Sequence, residues 1–96
     1  MADTRADSVY ILRCVDGSFY VGHSMDVNER VLDHNSGRGA AWTRCRTPVV
    51  LAYQEPFPTE AEAVARERQL KRWTHAKKLA LVEGNLARLK ELSKSR

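Results

Sequence analysis

Near the start of the chain, Ser8-Val-Tyr-Ile-Leu-Arg-Cys14 and Ser18-Phe-Tyr-Val-Gly22, two runs rich in β-branched and aromatic residues, flank Val15-Asp16-Gly17. An Asp-Gly pair between such runs is a strong local signal for a β-hairpin. The length of its loop decides which side chains share a face, because a register change of one residue inverts a strand. A two-residue turn at Asp16-Gly17 would put Tyr10 and Tyr20 on opposite faces and mix apolar with polar positions. A three-residue loop with Gly17 in the left-handed conformation pairs Cys14 with Ser18, Leu12 with Tyr20 and Tyr10 with Gly22. Val9, Ile11, Phe19 and Val21 then make one apolar face, and the two tyrosines stand together on the other. Binary patterning favours that arrangement.

The rest of the chain reads as helix, strand and three helices. Asp26 to Asn35 is a helix capped by Ser24 or Asp26 and stopped by Gly37, with Val27 and Val31 on its buried stripe and Arg30 and His34 one turn apart at the border. Ser36 to Thr47 reads as a loop closed by Pro48, Val49 to Gln54 as a third strand, and Pro56-Phe57-Pro58 as a rigid connector. Thr59 and Glu62 form a capping box for a helix to about Trp73, on which Ala63, Glu67 and Leu70 share a face. Thr74 caps a helix from His75 to Glu83, Gly84 breaks it, and a last helix at 85–94 carries Leu86, Leu89 and Leu92 on a stripe read as core. The fold class is therefore α+β: a small three-stranded antiparallel sheet flanked by helices, with C-terminal helices.

A chain of 96 residues supports one domain (1–96), with its motifs at about 7–83, and excludes a second independent core. Cys14 and Cys45 lack the spacing of a disulfide framework or a zinc site, so both read as reduced packing residues, and the expected location is cytoplasmic. No apolar run reaches membrane-span length, and Met1 to Asp7 is polar and unlike a signal peptide. The net charge is +4, and its distribution is more telling. Between His34 and Gln54 no acid occurs, while Arg38, Arg44 and Arg46 surround Trp42; a second acid-free stretch holds Lys71, Lys77 and Lys78 near Trp73. Basic runs interleaved with aromatics suit a phosphate backbone and a stacked base, and a solvated cationic face is the plainer alternative.

Tyr10, Tyr20, Arg30 and Glu67 sit where packing alone accounts for them poorly. A carboxylate among small and apolar neighbours is costly unless paired or metal-bound, and Lys71, one turn on, is the plain partner for Glu67. Similarly, Arg30 has Asp26 or Asp33 within reach, and His34 has a capping or packing role open to it. Tyr, Arg and Glu together nevertheless make a phosphoryl-transfer set: a carboxylate for one hard cation, a guanidinium for phosphate oxygens, and a hydroxyl near the attacking water. His23, directly after Gly22, is a further candidate base or phosphate contact.

These residues resemble the GIY-YIG nuclease domains. Ser8-Val9-Tyr10 stands where that family has Gly-Ile-Tyr, and Tyr20-Val21-Gly22 where it has Tyr-Ile-Gly. Asp26-Val27-Asn28-Glu29-Arg30 with His34-Asn35 looks like its arginine helix, and Glu67 in Ala65-Arg66-Glu67-Arg68 like its metal-binding glutamate. His34 to Gly39 and Phe57-Pro58 are similar to the small stand-alone bacterial branch related to YhbQ. The resemblance implies a single Mg²⁺ or Mn²⁺ at Glu67 and hydrolysis of phosphodiesters in DNA, with RNA as the alternative polymer, in repair or recombination. By that resemblance Tyr10 activates the water, Tyr20 is its hydrogen-bonded neighbour, Arg30 clamps the phosphate and His34 stands beside it. Arg38, Trp42, Arg44, Arg46, Lys71, Lys77 and Lys78 are left to hold nucleic acid, and a partner protein to supply specificity. A non-catalytic nucleic-acid-binding module is the alternative function. The sequence fixes no oligomeric state.

Overall fold

The hairpin closes as the patterning argument requires. In the computed structural model, which describes residues 7–94, β1 (Asp7–Arg13) and β2 (Phe19–Ser24) pair antiparallel with Leu12 opposite Tyr20 and Tyr10 opposite Gly22. The Cys14 amide donates to the Ser18 carbonyl at 2.9 Å, the Gly17 amide donates to the Cys14 carbonyl, and Gly17 has φ +85°. That left-handed residue is one glycine adopts without steric cost. The remaining elements are α1 (Val27–Asn35), α2 (Ala41–Arg44), β3 (Val50–Phe57), α3 (Glu60–Lys71), α4 (His75–Val82) and α5 (Leu86–Lys94). The sheet is antiparallel in the order β2-β1-β3, so the protein is α+β as expected.

Alternation along β1 builds two cores. Val9 and Ile11 join Phe19, Val21, Ala63, Leu70 and Leu81 on the face covered by α3 and α4, while Tyr10, Leu12 and Cys14 join Val27 and Val49 on the face covered by α1. Asp26 caps α1 by accepting from the Glu29 amide at 3.0 Å, and Thr59 caps α3 by accepting from the Glu62 amide at 3.2 Å, while the Glu62 carboxylate reaches back to accept from the Thr59 hydroxyl at 3.3 Å rather than from its backbone amide. Thr74 caps α4 by accepting from the Lys77 amide.

Several expectations need correction, and the sheet holds one irregularity the sequence does not announce. The third strand runs on through Pro56 and Phe57, which were read as a connector. β3 lies at the sheet edge, where a residue without an N–H breaks no inner ladder. Between Ile11 and Leu12 the β1–β3 register slips: Ile11 faces Tyr53 and Leu12 faces Leu51, leaving Ala52 as an extra residue. This bulge sends Tyr53 to the α3 face and Leu51 to the opposite one, although they are two residues apart. The loop at 36–47 contains the short α2. Finally, the last helix is not core. None of its residues is buried, Leu86 is 71% exposed, and only Leu89 packs against the main cluster. Cys14 is a buried packing residue as read, but Cys45 is exposed beyond α2. No helix among the described residues is long and apolar enough to cross a membrane.

Candidate active site

Tyr10 leaves β1 on the α1 face, and the hydroxyl end of its ring lies close against Gly22 on β2. A Cβ at Gly22 would stand 2.6 Å from the Tyr10 hydroxyl oxygen and 2.7 Å from Cζ, so only glycine permits this approach. Arg30 and His34 come from successive turns of α1, placed by the burial of Val27 on the same stripe. His34 is 2% exposed and bonded at both ring nitrogens: Nδ1 to the Thr43 hydroxyl at 2.8 Å and Nε2 to the Tyr10 hydroxyl at 3.1 Å. Thr43, fully buried, already donates its hydroxyl proton to the Ala40 carbonyl at 2.9 Å. Its oxygen can therefore only accept from His34, which places the imidazole proton on Nδ1 and leaves Nε2 to accept from Tyr10. Gly39 lies over the same imidazole so closely that a Cβ there would overlap the His34 ring and come within 2.8 Å of the His34 Cα.

The electrostatics agree with this proton arrangement. Burial, with Arg30 adding to it, pulls His34 below the ordinary histidine value, so it is neutral near pH 7. Burial above all, then Tyr20 and Glu67, push the Tyr10 hydroxyl well above the ordinary tyrosine value, while Arg30 pulls the other way. Tyr10 is thus held as a hydroxyl with a neutral acceptor behind it.

Because β2 is an edge strand, the cleft of about 360 Å³ beside it is lined from both faces of the sheet. Tyr10, Tyr20, Arg30 and His34 line it from the α1 side. His23, opposite Val9 in register, and Glu67 of α3 line it from the other. All five residues read as catalytic thus share one cleft, together with His23 and Arg38. The Glu67 side chain is 16% exposed; Lys71 holds one carboxylate oxygen at 2.7 Å, and the other faces His23 Nε2 at 3.6 Å. Among the described residues Arg30 makes no ion pair; Asp33, one of its plain partners, pairs with Arg38 at 3.6 Å.

The basic residues divide. Trp42 stacks on Tyr20 with ring centroids 6.0 Å apart, beside the cleft. Arg46 is tied down over the Trp42 ring at 4.0 Å, donates to the Trp42 carbonyl and pairs with Asp16 at 3.3 Å. Arg44 is exposed at the end of α2. Lys78 is half-buried, and desolvation with Lys71 nearby lowers its pKa. Lys77 lies over Trp73 at 4.6 Å, on the α3 face rather than at the cleft.

Sequence reasoning missed Thr43, Gly39 and Asp7. Thr43 carried no local signal, since its role depends on how the loop folds back on α1. Asp7 was legible once the hairpin register was set: it is the diagonal neighbour of His23, on the same face, and its Oδ1 lies 3.0 Å from His23 Nδ1. A ligand atom from each of Asp7, His23 and Glu60 lies within 4.8 Å of the others, a second grouping that could hold a cation besides Glu67.

A family model described as the GIY-YIG catalytic domain matches residues 7–80. A UPF0213 protein of Staphylococcus epidermidis is 48% identical over 75 residues, covering 78% of this chain and 92% of its own. A UPF0213 protein of Staphylococcus aureus is 51% identical with the same coverage. The solution NMR structure of the UPF0213 protein BH0048 from Bacillus halodurans superposes with a TM-score of 0.53 at 43% identity, over 80% of this chain and 82% of that one. That of EF2693 from E. faecalis gives 0.59 at 34% identity, over 91% and 93%. With a family model spanning most of its length and two-thirds or more of each relative covered, the chain belongs to the GIY-YIG family.

Proposed function

We propose that the protein is a divalent-metal-dependent endonuclease that hydrolyses phosphodiester bonds in DNA, selecting strand structure rather than sequence, in repair or recombination. The observation that carries this reading is the convergence of Tyr10, Tyr20, Arg30, His34 and Glu67 on one cleft at the β2 edge. Membership of a nuclease family supports it.

In this reading Arg30, without an ion pair among the described residues, grips the scissile phosphate through two oxygens. A water attacks phosphorus in line and gives its proton to the Tyr10 oxygen while Tyr10 passes its own to His34 Nε2. The phosphorus–oxygen bond opposite the water breaks, and the leaving oxygen takes a proton from solvent. Tyr10 never has to exist as a free phenolate, which its burial opposes. Tyr20, packed between His34 and Trp42, holds the wall of the cleft against which a base can stack. Glu67 suits a hard cation: a carboxylate in the cleft with one oxygen facing the open nitrogen of His23. Once bound there, Mg²⁺ or Mn²⁺ draws charge from the phosphate and lowers the pKa of water.

The Lys71–Glu67 pair at 2.7 Å favours a second reading, a nucleic-acid-binding module in which that carboxylate is only a surface partner. Labelled single-stranded, duplex, flapped and branched DNA and RNA, incubated with Mg²⁺, Mn²⁺ or EDTA, separate the two. The nuclease reading expects cleavage that needs metal and vanishes in Glu67→Ala, with binding within a few-fold of wild type. Binding without cleavage in any metal gives the second reading.

A further inference from the structure

His23 stands between two carboxylates from different elements. Its Nδ1 lies 3.0 Å from Oδ1 of Asp7, and its Nε2 lies 3.6 Å from Oε1 of Glu67. The first is a hydrogen-bond distance and the second is too long for one. Asp7 is 8% exposed, so its carboxylate accepts from Nδ1–H largely out of solvent, which leaves the lone pair of a neutral ring on Nε2, facing Glu67. A carboxylate behind one ring nitrogen and an open lone pair on the other is the usual arrangement of a metal-binding histidine. We propose that His23 is a second protein ligand, with Glu67, for the divalent cation of this cleft, and that Asp7 is the positioning residue that fixes the His23 ring for it. This rests on the reading that places the cation at Glu67.

The donor set selects among ions. One of the two donors is an imidazole nitrogen, which suits first-row transition ions better than Mg²⁺. The site therefore prefers Mn²⁺ to Mg²⁺, and the preference resides in His23. The neighbouring group of Asp7, His23 and Glu60 competes for the same ring. In the structure Asp7 is engaged with Nδ1 at hydrogen-bond distance, and Nε2 is the ring nitrogen that faces Glu67.

Calorimetric titration of the purified protein with MnCl₂ and MgCl₂, without nucleic acid, tests this. His23→Gln and Asp7→Asn, each checked for an unchanged melting curve, should weaken Mn²⁺ binding about 10-fold or more while leaving Mg²⁺ within about threefold. In wild-type protein, pulsed EPR of the bound Mn²⁺ should show coupling to a directly ligated imidazole nitrogen, and its absence overturns the proposal. Mn²⁺ affinity within twofold of wild type in His23→Gln overturns the proposal. So does loss of Mn²⁺ binding in Glu60→Gln with retention in Glu67→Gln, which would put the ion between Asp7, His23 and Glu60. Failure of the nuclease reading looks different, since Mn²⁺ binding would persist and depend on His23 while no substrate is cut.

Discussion

Replacing Gly22 by alanine adds one methyl group at a place where the tyrosine has no room to yield. Gly22 does not have a left-handed backbone, so the substitution tests contact alone. The new Cβ stands 2.6 Å from the Tyr10 hydroxyl oxygen, whereas ordinary contact begins at 3.4 Å, so the ring must retreat by about 0.8 Å. Tyr10 is 2% exposed and its hydroxyl is 3.1 Å from His34 Nε2, so such a retreat breaks that bond or forces β1 and β2 apart. Overpacking of this kind costs about 1–3 kcal/mol, which in a domain of this size lowers Tm by about 4–8 °C per kcal/mol. If Tyr10 handles the proton as proposed, a displacement near 1 Å should cost cleavage about 100-fold. Thermal melting by circular dichroism and single-turnover cleavage of labelled DNA read the two effects separately. A Gly22→Ala protein that melts and cleaves as wild type would refute the reasoning, because the contact between strand and ring would then carry neither packing nor chemistry.

Three further outcomes follow from the same contacts. His34 is held below the ordinary histidine value by burial and Arg30, so the unfolded chain takes up that proton first as pH falls below about 6.5. Stability is then full above that pH and declines beneath it, and Tm measured from about pH 7.5 to 5.5 should fall in wild type and fall less in His34→Gln. Thr43→Val keeps the shape but removes the oxygen that places the His34 proton on Nδ1; cleavage should drop about 10- to 100-fold with a distinctly smaller loss of nucleic-acid binding, read by gel and by fluorescence anisotropy. Asn35 clasps Val49 by donating to its carbonyl at 3.0 Å and accepting from its amide at 2.7 Å. Asn35→Ala should cost about 1–3 kcal/mol in urea denaturation, since it leaves both backbone groups without partners.

The sheet and most of the cleft could be read in the residues because their signals are local. Alternation around Asp16-Gly17 set the hairpin register, and that register put Tyr10, Tyr20 and Gly22 together. Helical spacing joined Arg30 to His34 and placed Glu67 between Ala63 and Leu70. What escaped depends on tertiary order. Pro56 looks like a strand breaker until β3 is known to be an edge strand, and nothing in Leu51-Ala52-Tyr53 announces the bulge that parts Leu51 from Tyr53. The leucines of α5 carry the period of a buried stripe, yet the helix lies on the surface of the domain and Leu86 stays exposed. Spacing also could not tell the cations aimed at the cleft from Arg46 and Lys77, which are stacked on Trp42 and Trp73.

The most direct test of the central claim is a set of single-turnover cleavage rates for wild type, Tyr10→Phe, Arg30→Ala, Glu67→Ala and the Tyr10→Phe/Glu67→Ala pair, with DNA affinity measured in parallel. If these residues act as one catalytic site, each single variant loses about 100-fold or more in rate while binding stays within a few-fold, and the pair loses little beyond the worse single variant. Wild-type protein that cuts no substrate with any divalent metal, or single variants that cut at the wild-type rate, would contradict it.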